Sequence, residues 1–584
     1  MKPLKNFELL TSYLKQNKLL YLMAVILIIL SNVDQSLLPQ MLGEVTDGLK
    51  EGSLGREGII QYSLILLAIA VSYGIMFGLG QFTIMRLGRR FEFITRGRIF
   101  AQFSRLSEDF FSKQGTGKLL SYVMNDVTSV REAIAFGVAQ TTNAVFMLIS
   151  CVTMMLITGI PVTLILVSVC PLVLIPFLVI YFGPRIRTRS MHVQESLATM
   201  TESADEQIGG IRVTKTFAME ETAQQRFDST VDGVREAQLR LVRMSSLFQA
   251  ILPFLGALSL VVSLLVGSYM TIQHHLSLGS FVALTFYLRM LTGPLQQIGN
   301  VINMMQRSGA SLERVNRLLA EVPSVRDHDA TIELNSIGDI EINHLHFAYP
   351  GASEKALEDI SFTIRKGKTV GLVGRTGSGK STLAKLLLRV YEPPAGSIRV
   401  SGEDITEVSL ETLRRKIGYV PQDGFLFSTD IADNIAFSDR SANIQQIRSA
   451  ADQALLLDSV NTFKEGFQTK LGERGLTLSG GQRQRASLAR GLMKRPELLI
   501  LDDSMSAVDT LTESGILSNL VKERQGKTTL IIAHRISSVQ HASEIIVLDE
   551  GRIIQRGSHE QLMARRDGLY ASLYRIQQEG LQHA

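Results

Sequence analysis

The strongest constraint on the fold is a set of apolar runs in roughly the first 310 residues, each long enough to cross a bilayer. A membrane-spanning helix needs about 20 apolar residues. Five runs meet that length, and a sixth is weaker because it contains Arg289, Gln296, Gln297 and Asn300. The candidate spans cover residues 19–40, 58–80, 137–158, 160–182, 250–272 and 277–300. We expect a six-helix membrane domain, and an even number of spans returns the chain to its starting side.

Basic residues predict the orientation of these spans. The connection between the second and third spans begins "MRLGRRFEFITRGR", and the one between the fourth and fifth begins "GPRIRTR". The N-terminus is also basic, whereas the other short loops, such as "TGIP" and "QHHLSLGS", carry few cations. Because basic loops stay in the cytoplasm, we expect a multi-pass protein of the cytoplasmic (inner) membrane with a cytoplasmic N-terminus. Residues 5–16 are mildly amphipathic and are expected along the inner membrane surface.

Both basic connections contain a glycine break. The sequences are "QGTGKLLSYVMNDV" at 114–127 and "IGGIRVTKTFAMEE" at 208–221. Each is a candidate short crossing helix that touches another domain, and an ordinary helical hairpin is the alternative. The two cysteines, Cys151 and Cys170, lie in apolar runs and are expected to fill space between packed helices. The net charge of +5 is small for 584 residues and does not indicate a nucleic-acid partner.

The second half of the chain has the composition of a soluble α/β protein. We divide the chain into a membrane domain at 1–324, a polar linker at 325–337, a soluble domain at 338–577 and a tail at 578–584. In the soluble domain the strand "TVGLVG" runs into "GRTGSGKST" at 374–382, which opens a helix. A glycine-rich loop at a helix N-terminus wraps phosphate oxygens with backbone N–H groups. This placement predicts a P-loop NTPase fold that binds ATP with Mg²⁺.

Individual residues of this loop have predicted roles. Lys380 is expected to reach the β- and γ-phosphates, and the Ser381 hydroxyl to ligate Mg²⁺. Asp502 ends the apolar strand "LLILD" and is the expected acid beside that ion. A third motif, "LSGGQRQR" at 478–485, is weak alone and becomes specific together with the other two. The residues expected to contact nucleotide in the loop are Gly374, Arg375, Thr376, Gly377, Ser378, Gly379, Lys380, Ser381 and Thr382.

With these motifs the chain resembles one half of an ATP-binding-cassette exporter, in which six spans are fused to one nucleotide-binding domain. The resemblance implies that Tyr349 in "HFAYPG" stacks on adenine. It implies that Gln422 in "YVPQD" lies near Mg²⁺ and the attacking water, and that His534 in "IIAHR" touches the γ-phosphate. It also implies that "LGERG" at 471–475 meets a coupling helix, and that "SAVD", ending at Asp509, crosses between paired domains. In this family ATP lies between two chains, so the motif residues Ser479, Gly480, Gly481 and Gln482 would complete the partner's site.

One residue departs from the family pattern. The residue after the Mg²⁺-binding acid is usually a glutamate that polarises the attacking water, and here it is Asp503. The carboxylate is withdrawn by roughly 1 Å or more, and a misplacement of that size can cost about a hundredfold in rate. A backbone shift that lets Asp503 reach the water is the alternative. We hypothesise that this chain is the impaired-site half of a heterodimer whose partner carries the catalytic glutamate.

The cargo is less constrained by the sequence. Asp34 and Arg289 are ionisable residues inside spans, and such residues face a cavity or pair between helices. A carboxylate in the cavity would suit hydrophobic or cationic small molecules, and the resemblance favours multidrug export. Lipid or peptide translocation and a nucleotide-gated channel or sensor remain alternatives. A soluble ATPase acting on nucleic acid is disfavoured by the six spans.

Overall fold

The chain forms two units, which we describe separately. In this computed structural model, residues 8–327, 331–472, 475 and 477–582 are described. The membrane unit comprises the chain up to Ser104 together with Thr116–Glu321. The nucleotide unit comprises Val322 onward together with the short segment Arg105–Gly115, which comes from between two membrane helices.

The membrane unit is entirely helical in the part of the chain that the structure describes. Its helices and the short helix α4 are α1 (Glu8–Gln16), α2 (Lys18–Lys50), α3 (Arg56–Arg105), α4 (Glu108–Gln114), α5 (Thr116–Ser121), α6 (Val127–Glu132), α7 (Val138–Ile157), α8 (Val162–Gly209), α9 (Ile211–Thr216), α10 (Glu220–Ile272) and α11 (Leu278–Leu319). Two π-helical turns, Tyr122–Asp126 and Ala133–Gly137, join α5, α6 and α7 into one rod.

Six of these helical rods are long and apolar enough to cross a membrane, within the described residues. The prediction of six spans is confirmed, including the weak sixth, which lies in α11. The rods run well beyond the apolar segments that predicted them. The longest, α10, has 53 residues, which at about 1.5 Å per residue exceeds twice the thickness of a bilayer core.

Burial separates the lipid-facing side chains from the protein-facing ones. Leu166, Phe177 and Leu265 lie in the apolar segments and are about two-thirds exposed. No hydrophobic gain drives such side chains inward when the surroundings are lipid. Tyr287 on α11 is fully buried, and its hydroxyl donates to the Ser36 carbonyl on α2 at 3.1 Å. Hydrogen bonds of this kind tie neighbouring rods together.

Charged residues are buried where the rods extend past the apolar segments. Glu92 on α3 is 5% exposed and pairs with Arg89, Arg96 and Arg131 at 3.0, 2.7 and 3.5 Å. A carboxylate this well buried needs such partners, because desolvating it alone costs several kcal/mol, roughly. The network joins α3 to α6.

The nucleotide unit contains two sheets. Its strands are β1 (Ile340–Phe347), β2 (Leu357–Ile364), β3 (Thr369–Gly374), β4 (Ile398–Val400), β5 (Glu403–Asp404), β6 (Ile417–Val420), β7 (Leu498–Asp502), β8 (Thr528–Ile532), β9 (Glu544–Asp549) and β10 (Arg552–Gly557). The larger sheet has the order β10-β9-β3-β8-β7-β6 and is parallel except for β10. The smaller, antiparallel sheet has the order β2-β1-β4-β5.

Helices cover the parallel sheet and make its central strands fully buried. They are α12 (Lys380–Leu387), α13 (Leu410–Lys416), α14 (Ile431–Ile435), α15 (Ile444–Gln453), α16 (Leu457–Asn461), α17 (Gly480–Met493), α18 (Thr510–Glu523), α19 (His559–Ala564) and α20 (Leu569–Gln582). Strands β7 and β8 are buried at every position, as expected of parallel strands covered on both faces. Ligands of such sheets bind at the carboxyl ends of the strands, which is where the sequence motifs lie.

The segment Arg105–Gly115 belongs to the nucleotide unit by its contacts. Glu108 on α4 accepts a hydrogen bond from Lys385 at 2.7 Å, and Asp109 accepts one from Ser324 at 2.8 Å. The helix ends at Gly115, whose φ of +71° favours glycine. The short helix with these contacts ends at Gln114, the first residue of the range 114–127, and the crossing role expected of that range stays a prediction. In the other connection, α9 lies within the range 208–221.

Candidate functional site

The phosphate loop follows β3 and is shaped by its glycines. Gly377 and Gly379 have φ of +84° and +93°, a region that side chains with a Cβ rarely adopt. A Cβ on Gly374 would lie 2.0 Å from the Leu548 carbonyl oxygen, and one on Gly379 would lie 2.6 Å from that of Ala356. The loop therefore cannot keep this shape with other residues, and it delivers the chain directly to the N-terminus of α12.

Lys380 is the first residue of α12 and is 5% exposed. Its Nζ donates to the carbonyl oxygens of Gly374 at 2.9 Å and Arg375 at 2.8 Å. Burial lowers the pKa of Lys380, and the nearby carboxylates of Asp503 and Asp502 oppose that shift. The ammonium is thus held against the loop backbone on the side that faces the acidic strand end.

Asp502 closes β7 with a carboxylate that has two donors. Its Oδ1 accepts from the Ser381 hydroxyl at 2.9 Å, and its Oδ2 accepts from the Tyr419 hydroxyl at 3.1 Å. Burial raises the pKa of Asp502, while these two hydrogen bonds act in the opposite direction. The contact between Ser381 and Asp502 joins residues 121 positions apart in the sequence, so the predicted pair of oxygen ligands does lie together.

Asp503 follows the end of β7, and both oxygens of its carboxylate accept hydrogen bonds. Its Oδ2 accepts from the Gln422 amide at 3.1 Å, and its Oδ1 accepts from the backbone N–H of His534 at 3.3 Å. The residue is 8% exposed and has φ of +46°. Aspartate tolerates this left-handed conformation better than most side chains. The three residues predicted to lie beside the attacking water or the γ-phosphate, Gln422, Asp503 and His534, are therefore neighbours.

The motif "LSGGQRQR" begins α17. The exposed Ser479 caps the helix, since its hydroxyl accepts from the Gln482 N–H at 3.2 Å while the Gln482 side chain accepts from the Ser479 N–H at 2.9 Å. Such a capping box leaves the helix N-terminus open to an anion. Gly481 approaches the loop after Asp503, because a Cβ there would lie 3.0 Å from the Ala507 carbonyl oxygen.

Sequence reasoning missed Gln484, which connects three motifs. Its amide nitrogen donates to the Gln422 carbonyl at 3.3 Å and to the Ser506 hydroxyl at 3.1 Å, and its oxygen accepts from the Ala507 N–H at 2.8 Å. It is 7% exposed. Gln484 is part of the motif, two residues after Gln482. Nothing in the local sequence indicated that its partners, Gln422 and Ser506, lie 62 and 22 residues away.

Two further predicted elements have partners of their own. Tyr349 donates to or accepts from the Thr382 hydroxyl at 3.0 Å, and its ring meets that of Tyr391 edge-on at 5.1 Å. Asp509 caps α18 by accepting from the Thr512 N–H at 2.9 Å. Within "LGERG", the residues Glu473 and Arg474 lie outside the described part of the chain.

The donor set fits a nucleotide with a magnesium ion. Carboxylate and hydroxyl oxygens are what Mg²⁺ prefers, and this ion usually takes only one or two protein ligands beside substrate phosphates. Asp502 and Ser381 supply that number. No cluster of three or more His, Cys, Asp or Glu side chains suited to a metal occurs among the described residues.

The membrane unit contains a cleft of about 1000 Å³. It is lined by faces of α6–α7, α8, α10 and α11, with Glu132, Arg187 and Arg307 among its charged residues. Asp34 and Arg289, the ionisable residues singled out by the sequence, do not line it. Asp34 is half-buried, and its Oδ2 is buried without a hydrogen-bond partner among the described residues.

Comparisons with known proteins agree with this division of the chain. Residues 21–295 match the family model described as the ABC transporter transmembrane region, and residues 357–506 match the model described as ABC transporter. A probable multidrug resistance ABC transporter ATP-binding/permease protein of Bacillus subtilis is 35% identical over 97% of this chain and 96% of its own length.

Other similar proteins are described with different functions. An ATP-dependent lipid A-core flippase of Syntrophus aciditrophicus is 35% identical over 88% of this chain and 85% of its own. A solved structure described as a bacterial Atm1-family ABC exporter with ATP bound superposes with a TM-score of 0.77 at 27% identity. It covers 97% of this chain and 98% of that one. The likeness thus extends through both units.

Proposed function

Because the chain belongs to the ABC transporter family, we propose that it is the impaired-site half of a heterodimeric exporter in the cytoplasmic membrane. Its nucleotide-binding domain binds ATP, and ATP hydrolysis is coupled to transport. The proposal adds that a second half-transporter supplies the catalytic glutamate. The cargo we propose is a hydrophobic or amphipathic compound, in keeping with the multidrug description of the Bacillus subtilis relative.

The observation that carries the proposal is the position of the Asp503 carboxylate. Both of its oxygens accept hydrogen bonds from residues beside the strand end, at 3.1 Å from Gln422 and 3.3 Å from the His534 N–H. A glutamate would extend one methylene farther toward the phosphate loop. A general base must lie within hydrogen-bond reach of the water it activates. A shortfall of about 1 Å lowers the rate by about a hundredfold.

We assign the remaining roles from the contacts around the loop. Lys380 neutralises the β- and γ-phosphates, and Ser381 with Asp502 ligates Mg²⁺. Bound Mg²⁺ offsets the charge that develops on the transferred phosphoryl group. Tyr349 packs beside the adenine, and His534 contacts the γ-phosphate. These residues hold nucleotide without needing the longer side chain at position 503.

The exposed N-terminus of α17 is assigned to the partner's site. Ser479 is exposed, and the half-buried Gly480, Gly481 and Gln482 form the first turn of the helix that it caps. The N-terminus of a helix suits a phosphate, which here would belong to a nucleotide on another chain. We propose that α4, which is flanked in sequence by two membrane helices, and α9 couple the nucleotide-binding domains to the membrane helices. The basic connections put these segments in the cytoplasm.

The test is ATP turnover by the chain purified alone. We expect slow hydrolysis, and Asp503→Glu should raise it at least about tenfold because the carboxylate regains its reach. The φ of +46° at this position should make the variant slightly less stable, since glutamate adopts that conformation less readily than aspartate.

Asp503→Asn is the matched control, since it keeps the length and removes the charge. It should stay at the slow rate. Rapid hydrolysis by the unaltered chain as a homodimer would show that Asp503 reaches the water after all, and the heterodimer proposal would then be abandoned.

Lipid translocation is the second candidate, because a lipid A-core flippase is as similar in sequence as the multidrug relative. Vesicles separate the two. An exporter of soluble amphipaths accumulates them in inverted vesicles against a gradient when ATP is present. A flippase instead moves labelled lipid between leaflets, and a channel does neither against a gradient.

A further inference from the structure

The cleft in the membrane unit has an unbalanced charge. Arg187 on α8 and Arg307 on α11 both line it and are exposed. Arg187 donates to the Gln306 side chain at 3.4 Å, a residue next to Arg307. Neither arginine forms an ion pair with any residue that the structure describes. Two guanidinium groups on facing helices thus lack an anion.

The acidic residue of the lining does not balance them. Glu132 on α6 accepts from Arg131 at 3.2 Å, and that arginine also lies 3.5 Å from Glu92. The Glu132 carboxylate is therefore already paired within the network that joins α3 and α6. Among the described lining residues no other acid is present. The cleft therefore has a surplus of positive charge.

The rest of the lining is apolar or carries neutral amides. Phe136, Phe248 and Leu252 supply apolar surface, and Gln296 and Asn300 supply amides. On α11 the lining residues run from Gln296 to Arg307 on one helix face, a rise of roughly 16 Å. On α11, Arg307 lies nearer the proposed cytoplasmic end of the helix than the amides Gln296 and Asn300 do. The cleft thus offers apolar and amide surface beside its two cations.

We propose that this cleft binds an amphipathic anion. Its carboxylate or phosphate lies between Arg187 and Arg307, and its apolar body lies along Phe136, Phe248 and Leu252. Guanidinium groups match such oxyanions with paired hydrogen bonds. The inference rests on the proposed export function and narrows its cargo. It replaces the cationic cargo suggested by Asp34, which does not line the cleft.

Binding can be measured by fluorescence, because the sequence contains no tryptophan. All proteins carry Phe248→Trp as the sole tryptophan in the cleft and are reconstituted at full length in phosphatidylcholine nanodiscs. The probes are dodecyl phosphate and dodecyltrimethylammonium, which share an apolar chain and differ in charge. Both are kept below the concentration at which they form micelles. We expect the phosphate to bind at least about tenfold more tightly.

Substitution of the arginines tests the assignment. Arg187→Gln with Arg307→Gln should weaken dodecyl phosphate at least about tenfold and leave the cation within about twofold. Arg187→Glu with Arg307→Glu should reverse the preference, which also shows that the protein is folded. Arg185→Gln is the control, since Arg185 lies on the same helix, stacks 3.7 Å over the Tyr181 ring and does not line the cleft. Tighter cation binding by the unaltered arginines, or equal anion binding after their removal, overturns the proposal.

The anion can come from a lipid headgroup or from a soluble amphipath. Adding phosphatidylglycerol to the nanodiscs distinguishes them. Competition with dodecyl phosphate indicates a lipid source, and the absence of competition indicates a soluble one; either supports an anion site. ATP-driven transport is measured separately. Anion binding without transport would overturn the export function and support the anion site. Transport of cargo without a preference for anions would support the export function and overturn the anion site.

Discussion

The proposed function assigns two halves of a nucleotide site to this chain, and the two are built differently. The phosphate half joins residues far apart in sequence, with 121 positions between Ser381 and Asp502 and 81 between Gln422 and Asp503. The signature half is local, because Ser479 and Gln482 cap one helix within three residues. Contacts between distant segments are made only if each side chain is long enough to reach its partner. The capping box of α17, by contrast, needs only Ser479 and Gln482.

Burial follows the same division. Lys380, Asp502 and Asp503 are 5%, 3% and 8% exposed, whereas Ser479 is exposed. Well-packed surroundings resist adjustment, so under the proposed function the shorter side chain at position 503 would remain uncorrected at the phosphate half. The signature half would be unaffected by it. The proposal therefore lets one chain have a slow site of its own and still serve a competent partner.

The largest effect should come from the phosphate half. Lys380→Ala removes an ammonium that donates at 2.9 and 2.8 Å to carbonyl oxygens of the loop and that the proposed function assigns to the phosphates. With charge-assisted hydrogen bonds at about 1.5–3 kcal/mol each, ATP affinity should fall about a hundredfold. Calorimetric titration of the full chain with ATP measures it. Lys385→Ala, on the same helix and paired with Glu108, should bind as the unaltered chain does; similar affinities for both variants would remove Lys380 from the site.

A smaller effect should separate the two halves in the assembled pair. Ser479→Arg places a cation at a helix N-terminus that favours anions and removes the cap. In the heterodimer it should lower ATP turnover at least about tenfold, because it alters the partner's competent site. Asp503→Asn should change the pair's turnover less than about twofold, since the proposed function makes that site slow already.

Ser558→Arg is the control for this substitution, because Ser558 caps α19 with the same kind of capping box. If Ser558→Arg and Ser479→Arg lower turnover equally, loss of a cap explains both. If Asp503→Asn instead lowers the pair's turnover as much as Ser479→Arg does, the two halves are equivalent and the comparison fails.

Much of the fold could be predicted from local pattern. The six apolar runs correspond to six long helices among the described residues. The length of an apolar run can be read directly from the sequence, so no long-range contact is needed to predict a span. The polar connections were expected to be helical as well, but the residues at which the helices end could not be predicted from the apolar runs, as the start of α10 at Glu220 illustrates. The short helix α4 was missed because its position depends on contacts of Glu108 and Asp109 with Lys385 and Ser324, which no pattern reveals.

The site divides in a similar way. Phosphate loops and strand ends have fixed spacings, so Lys380 and Asp502 could be named from sequence. The φ of +46° at Asp503 could not be predicted. At this residue the backbone N–H donates to the Ile532 carbonyl at the end of β8, a long-range contact that no local pattern reveals. Gln484 was missed for a related reason, since its role arises from the packing of α17 against two loops.

The smallest effect concerns the pH dependence of the phosphate half. Tyr419→Phe removes the hydroxyl that donates to Asp502 at 3.1 Å. Burial already raises the pKa of Asp502, and the Tyr419 hydrogen bond opposes that shift by favouring the ionised carboxylate. Without this hydrogen bond the pKa of Asp502 rises further, so the carboxylate is protonated at a higher pH.

Only the ionised form of Asp502 ligates Mg²⁺ well. Mg²⁺-dependent ATP binding should therefore weaken severalfold near about pH 5.5 and stay nearly unchanged near about pH 8. Titrations with Mg²⁺ at both pH values measure it, and parallel pH profiles for the two proteins would mean that Tyr419 does not tune this acid.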